Sequence, residues 1–435
     1  MLLRFSVKNH RSLRDQASIN LTPAKLREQS SYLLKCEDAG VDALPVCIVY
    51  GANASGKSNL LDAIAYARHV VLQSHSRWSP REGTHRVTFK LDQSSRDDET
   101  EIALDFVADG TLFQYGFALN SECFTSEWLY AYPKNRKQTW YERESQTFKF
   151  GDYIRGPVSR VSELTRPNSL FISTAIQNNL HSLDHIHEFF RRIFPGRSYI
   201  SPGGVADVDS SQLSGIFGFL SVADTGIVDV RVEKEKRTEF QKELVGRLFD
   251  VLSSEIDSGD DRGESAEKLN VDRLFPDEFD RVSFGHRASG EDAVFLDLDE
   301  ESEGTIRLAN LLARVLPALQ SGGVVLLDEL DASLHPAISL KIVELFASPE
   351  TNVGKAQLIA TTHDSNILCS EHLRRDEIWF VEKDMTGSSH VYPLLEFSVR
   401  NTDNLEKGYL EGRYGAVPFV GSMKRIRDLL QSDDR

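Results

Sequence analysis

Val46-Cys-Ile-Val-Tyr-Gly-Ala-Asn-Ala-Ser-Gly-Lys-Ser58 decides how this chain is read. An apolar run, Val46 to Tyr50, leads straight into the phosphate-binding pattern G-x-x-x-x-G-K-[ST]. Gly51 and Gly56 let the backbone turn tightly, so that successive N–H groups can point at one anion. In loops of this kind the lysine, here Lys57, reaches the β- and γ-phosphates, and the hydroxyl of Ser58 can ligate Mg²⁺. Asn53 and Asn59 join Gly56, Lys57 and Ser58 as nucleotide-binding candidates. Residues 59 to 72 place Leu60, Leu61, Ile64 and Ala67 on one side of an expected helix. The amino end of that helix would add a partial positive charge beneath the phosphates. A glycine-rich turn that carries a lysine by chance would lack the strand before it and the helix after it.

The composition is that of a folded protein. Of 435 residues, 40% are apolar and 27% charged, which allows a sizeable core and argues against global disorder. The length suits two or three domains, or one domain with a large insertion. A net charge of −16 argues against a surface coated in basic groups for nucleic acid, although a local groove is compatible with it. Cys36, Cys47, Cys123 and Cys369 are scattered and form no C-x-x-C pair, so neither a metal cluster nor a disulfide framework is expected. A reduced, cytoplasmic setting fits best. The opening residues do not read as a signal peptide, and no apolar stretch reaches the ~18 residues that a membrane span needs.

Along the chain, residues 2–8 and 16–21 read as a hairpin, and 24–40 as a polar loop. From 86 to 149 the pattern has period two, as in Val87-Thr-Phe89-Lys-Leu91, Ile102-Ala-Leu104-Asp-Phe106 and Phe113-Gln-Tyr115-Gly-Phe117, so an antiparallel β region is expected. Residues 160–194 look helical. Glu233, Lys234, Glu235, Lys236, Arg237, Glu239 and Lys242 read as a charged helix, followed by a linker from Asp257 to Ser265; the region is expected to form an inserted helical lobe. Period-two strands return at 280–298. A helix at 304–319, a strand at 323–328, a helix at 336–347 and a strand at 357–361 then alternate, which implies a mostly parallel sheet. The expected organisation is an ATPase amino-terminal half at 1–180, the lobe at 181–279, an ATPase carboxyl-terminal half at 280–395 and a tail at 396–435.

Residues 324–331 read Val-Val-Leu-Leu-Asp-Glu-Leu-Asp. Four apolar residues make a central strand, and Asp328 at its carboxyl end is placed to hold Mg²⁺, directly or through water. Glu329 follows and can polarise an attacking water. Lys57 and Asp328 are 328 − 57 = 271 residues apart, far more than a compact P-loop enzyme needs, so something large is inserted between the two halves of the core.

Three further segments join these motifs: Glu301-Ser-Glu-Gly-Thr305, Asp331-Ala-Ser-Leu-His-Pro336, and Ile359-Ala-Thr-Thr-His-Asp364. Together they resemble the ABC-class ATPases of the SMC and RecF group, over roughly 1–180 and 280–395. Within that group the chain is most similar to stand-alone AAA-like ATPases of bacterial abortive-infection and phage-defence systems, the RloA and OLD-related kind. The residues that carry this are Leu3-Arg-Phe-Ser-Val-Lys-Asn-His-Arg-Ser12, the phosphate loop through Asn59, the 301–305 segment and Tyr409-Leu-Glu-Gly-Arg-Tyr-Gly-Ala-Val-Pro418. The resemblance implies an α/β fold with a P-loop ABC-type core, a mostly parallel sheet, an antiparallel β region and an inserted helical lobe. It implies ATP and Mg²⁺ as ligands. It also implies roles by position. Ser302, Gly304 and Thr305 would form a signature that meets the γ-phosphate held by a second subunit, although Glu301 and Glu303 replace the Leu and Gly of the usual Leu-Ser-Gly-Gly. Asp331 would cross the dimer interface, His363 would sense the γ-phosphate, Gln177 would be the glutamine that links the metal to the lobe, and Arg11 would touch the nucleotide. Taken alone, His363 reads as a cap or core histidine; its place at a strand end beyond Asp328 reverses that reading.

Two functions are expected to compete. One is an ATP-driven switch, a homodimer or higher homo-oligomer closed around ATP, serving phage defence. Nuclease-bearing relatives carry a Toprim domain after the ATPase, and the acidic D-x-D pattern of such a domain is missing after residue 395, so a separate effector such as a nuclease or toxin is expected. The other is a RecF-like repair or recombination ATPase that acts directly on DNA, for which Lys134-Asn-Arg136-Lys137 and Arg191, Arg192 and Arg197 are the basic candidates. His181, His185 and His187 have no acidic or cysteine partner at metal-ligand spacing.

Overall fold

The computed structural model describes residues 1–26, 33–195, 210–223, 226–236, 278–288, 293–400 and 403–417. The chain forms two units. One comprises Met1–Ser198 with Pro317–Arg435, and the other Tyr199–Leu316.

The first unit is α/β and holds two large sheets. One has six strands in the order Ile193–Phe194, Val324–Leu327, Gln357–Thr361, Val46–Tyr50, Ile378–Lys383, Ser389–Pro393. The first five run parallel and only the last is antiparallel. Every residue of Val46–Tyr50, Gln357–Thr361 and Val324–Leu327 is buried, which is why these strands read as unbroken apolar runs rather than alternations. The second sheet is antiparallel, in the order Thr147–Phe150, Gln138–Glu144, Phe124–Ala131, Thr111–Leu119, Thr100–Ala108, Leu2–Lys8, Ala17–Asn20. Its inward rings include Phe106, which stacks on Phe189 at 4.0 Å between centroids. Gln357, fully buried, ties the two sheets together: its side-chain carbonyl accepts from Leu2 N at 2.6 Å, and its amide donates to the carbonyls of Leu2 and Leu44.

Several expectations need correcting. Ile193–Phe194 pairs with Val324 and Val325, so the chain from 181 to 195 belongs with the core sheet rather than with the lobe. Val87–Leu91 forms no ladder; it is held by Arg11 N donating to Val87 O and Phe89 N donating to Asn9 Oδ1. Within the loop expected at 24–40, Leu34–Cys36 pairs with Val41–Ala43, while 27–32 lie outside the described residues.

The second unit contains a helix, Ser210–Val222, a three-stranded antiparallel sheet of Ile227–Lys236, Glu278–Arg287 and Ala293–Asp297, and the start of a helix, Glu303–Ser321. Glu233 to Lys236 are therefore strand, not helix. Val228, Val230 and Val232 precede them with strict alternation, and β-branched residues at period two favour an extended chain over a helix. Cross-strand contacts use the charges: Arg281 pairs with Glu235 and Asp297, and the Arg231 guanidinium lies 3.8 Å over the Phe295 ring. Arg237, Glu239, Lys242 and the linker from Asp257 to Ser265 lie outside the described residues.

One buried carboxyl makes the core sensitive to pH. Glu377 sits just before the strand Ile378–Lys383 and is fully buried; its Oε2 accepts from Arg374 N at 2.8 Å. Burial raises its pKa from the ordinary 4.5 to about 8. A raised folded-state pKa contributes stability that is complete below 4.5 and is lost as the pH climbs to about 8, because the unfolded chain ionises first. Glu377→Gln is therefore expected to remove a fall in urea-unfolding free energy across that window. A fall of the same size in wild type and variant would contradict the assignment.

Candidate functional site

The parallel strand order brings three strand ends side by side, and each carries part of the site. After Tyr50 the chain turns through the phosphate loop into the helix Lys57–Gln73. Gly56 caps this helix with φ 113°, a left-handed conformation open to glycine. A Cβ at Gly56 would lie 2.2 Å from Ser389 Oγ and 2.7 Å from Ser12 Oγ, so the loop is pressed against two other segments. Ser389 Oγ donates to Ser55 O and accepts from Ser12 Oγ, and Asn59 Nδ2 donates to Ser12 Oγ. The loop is thus fixed from outside by the opening hairpin and by the edge strand.

Lys57 donates to the carbonyls of Gly51 at 2.8 Å and Ala52 at 3.1 Å, and its Nζ lies 3.1 Å from His363 Nε2. Burial holds the ammonium below its ordinary pKa, against the pull of Asp328, Glu329 and Asp331. Burial, and then the charge of Lys57, push the imidazole of His363 below its ordinary 6.5, so a neutral ring nitrogen faces the ammonium at neutral pH.

Asp328 follows the strand Val324–Leu327. Its Oδ1 accepts from Ser58 Oγ at 3.0 Å and from Thr361 Oγ1 at 2.7 Å. Glu329 has φ 54°, strained for a residue with a Cβ, and its N–H donates to Thr361 Oγ1 at 2.8 Å. Asp331 Oδ1 accepts from Thr362 Oγ1 at 2.7 Å and from His363 N at 3.1 Å, so this carboxylate holds the segment that presents His363.

A cleft of about 270 Å³ is lined by Asn53, Gly56, Lys57, Ser58, Glu329 and His363, together with Lys383. The fit to a magnesium–triphosphate rests on three features. Ser55 Oγ, which lines the cleft, is buried and has no hydrogen-bond partner among the described residues. The first N–H groups of the Lys57 helix have no intrahelical acceptor. Ser58 and Asp328 supply adjacent oxygen donors of the kind a hard divalent cation takes.

Other expected residues fall elsewhere. Arg11 is engaged by the Asp62 carboxylate, which also accepts from His10 Nε2 at 2.9 Å, and it does not line the cleft. Gln177 is exposed at the end of the helix Phe171–Gln177. That helix docks at the far end of the Lys57 helix, where His75 N donates to Ser173 Oγ. A helix of 17 residues is about 25 Å long, so Gln177 is not brought to the Ser58–Asp328 junction. Ser302, in the second unit, is exposed before the helix Glu303–Ser321; its Oγ accepts from Thr305 N at 3.1 Å, and Gly304 lies in the same first turn. Glu301 is held by His286 at 2.6 Å. Of the basic candidates, Lys137 lies 3.5 Å over the Tyr130 ring, Arg191 and Arg192 pair with Glu188, and Arg197 lies outside the described residues. Among the described residues there is no cluster of three or more His, Cys, Asp or Glu suited to a metal ion, and no helix long and apolar enough to cross a membrane.

The family described as "AAA domain, putative AbiEii toxin, Type IV TA system" matches residues 46–202 and 203–369, about three quarters of the chain. The chain belongs to this family. Its α/β fold, phosphate loop and cleft are accordingly those of an AAA-like P-loop ATPase related to abortive-infection ATPases. The chain is similar to the SMC head domain from Thermotoga maritima, at 14% identity over 90% of this chain and 98% of that one, with a TM-score of 0.35. It is also similar to an SmcHead bound to the C-winged helix domain of ScpA, at 14% identity over 90% and 97%, with a TM-score of 0.41. No curated protein matches it.

The contact of Gly56 with Ser389 and Ser12 gives a direct test. Gly56→Ala is expected to weaken ATP binding by about 100-fold or more in calorimetry, because the loop must move to admit the methyl group. Binding within a few-fold of wild type would show that the loop does not need this conformation.

Proposed function

We propose that this chain is an ATP-hydrolysing molecular switch that works as a dimer or higher homo-oligomer in bacterial defence against phage. The observation that carries the reading is the 3.0 Å hydrogen bond from Ser58 to Asp328, which joins two motifs 270 residues apart in sequence at the mouth of the phosphate loop. Ser58 and Asp328 would hold Mg²⁺ between them and the phosphates. The metal would supply charge neutralisation across the β- and γ-oxygens. Lys57 would turn its ammonium from the loop carbonyls to the triphosphate. Glu329, aimed by its strained backbone and by Thr361, would accept a proton from the attacking water. His363, held by Asp331, would register whether the terminal phosphate is present.

The exposed Ser302 at a helix start is available to a second copy of the chain, which would close over the nucleotide with Gly304, Thr305 and Asp331. Nucleotide would then act as glue, and hydrolysis would release the pair. Family membership supports the defence role, and a separate effector, a nuclease or toxin, would be held or released by the switch. The RecF-like alternative is less favoured, because Lys137, Arg191 and Arg192 already have partners within the chain and the net charge is −16.

Two substitutions separate binding from turnover. Lys57→Ala should abolish ATP binding, whereas Glu329→Gln should bind ATP normally, hydrolyse it about 10²–10⁴-fold more slowly and accumulate as a closed dimer by light scattering. Wild-type turnover by the Glu329 variant would remove that residue from the chemistry.

A further inference from the structure

The segment after residue 403 is bound to the two strand ends that carry the phosphate loop and His363. It lies beyond residue 369, where the family match stops. Asn404 caps a short helix, Leu405–Leu410, by accepting from Lys407 N at 2.8 Å. From this helix Glu406 reaches the tight turn Ser365–Cys369, which follows His363 and Asp364 directly. Ser365 Oγ donates to Glu406 Oε1 at 2.9 Å, and Cys369 Sγ donates to Glu406 Oε2 at 3.3 Å. One carboxylate thus grips both ends of the turn. Burial and the neighbouring carboxylate raise the Cys369 thiol above its ordinary pKa, which keeps it a donor.

Tyr409 completes the attachment. It is almost fully buried, stacks on Phe380, and meets Tyr50 at 5.4 Å between ring centroids. Tyr50 immediately precedes Gly51 of the phosphate loop, and its hydroxyl donates to Asp364 O at 3.1 Å. The spacing is enforced: a Cβ at Gly408 would lie 2.5 Å from Tyr414 Oη.

We propose that Glu406 is a positioning residue that locks the turn after His363, so that the imidazole is kept at Lys57 when the terminal phosphate must be registered; this rests on the ATPase reading above. Glu406 touches no reacting atom. It acts through Ser365 and the backbone that carries His363. The arrangement also gives the carboxyl-terminal segment a mechanical link to nucleotide state: a displaced His363 strand end pulls on the helix Leu405–Leu410, and a partner that displaces the helix loosens His363.

The test compares Glu406→Ala and Glu406→Gln in the full chain, with Ser365→Ala as the variant that breaks the same bond from the other side should Glu406→Ala fail to fold. The expected result is that Glu406→Ala and Ser365→Ala lower kcat about tenfold with the ATP Kd within twofold, that Glu406→Gln keeps most of the turnover because its carbonyl still accepts from Ser365, and that the His363 ring signal in NMR, assigned with His363→Ala, moves in the alanine variants and not in Glu406→Gln. Turnover unaffected by any of these changes, or an equal loss in all three with the His363 signal unmoved, would overturn the positioning role while leaving the ATPase intact. Failure of the unaltered chain to bind ATP would overturn the ATPase reading and this inference with it.

Discussion

The site depends on one oxygen atom. Asp328 Oδ1 accepts from Ser58, which enters from the phosphate loop, and from Thr361, which closes the neighbouring strand. Because Val324–Leu327, Gln357–Thr361 and Val46–Tyr50 are adjacent and parallel, their carboxyl ends must lie on one edge of the sheet, and that edge is where such folds bind ligands. The hydrogen bonds turn a general topological rule into a particular geometry. Thr361 carries more of this than its place in the sequence suggests, since it orients Asp328 by its hydroxyl and fixes the backbone of Glu329 through the same atom.

Around this junction the chain spends its remote segments on holding the loop still. Ser12 from the opening hairpin and Ser389 from the last strand of the sheet close on Gly56 and Ser55, and Asp331 and Glu406 hold the residues before and after His363. The result is a cleft whose candidate groups are positioned by neighbours outside its lining. Preorganisation of this kind lets a few charged groups act without first reorganising.

The parts of this that could be read in advance are those where chemistry and chain order coincide. Gly51 to Ser58, Asp328 with Glu329, and His363 each sit at the end of an apolar run, and a buried strand followed by a functional residue is a local pattern. Where the folded chain sets a residue apart from the cleft, or extends a segment expected to be helical, the deciding contact is distant. Gln177 looks like a metal-linking glutamine until His75 and Ser173 place its helix at the wrong end of the phosphate-loop helix. Arg11 reads as a nucleotide contact by its place in the sequence, and in the folded chain it pairs with Asp62. Glu233 to Lys236 look helical by charge, whereas the alternating valines before them and the partner strand Glu278–Arg287 make them extended. The grip of Glu406 on Ser365 had no local signal at all, since the two residues meet only after the tail folds back.

The most direct measurement is calorimetric titration of ATP, with and without Mg²⁺, into the wild-type chain and Asp328→Asn. The account predicts binding that is tighter with Mg²⁺ in the wild type, and a magnesium dependence that is lost in the variant while the phosphate loop still binds free ATP. Equal magnesium dependence in both proteins would contradict it, because the metal would then be held somewhere other than the meeting point of Ser58 and Asp328.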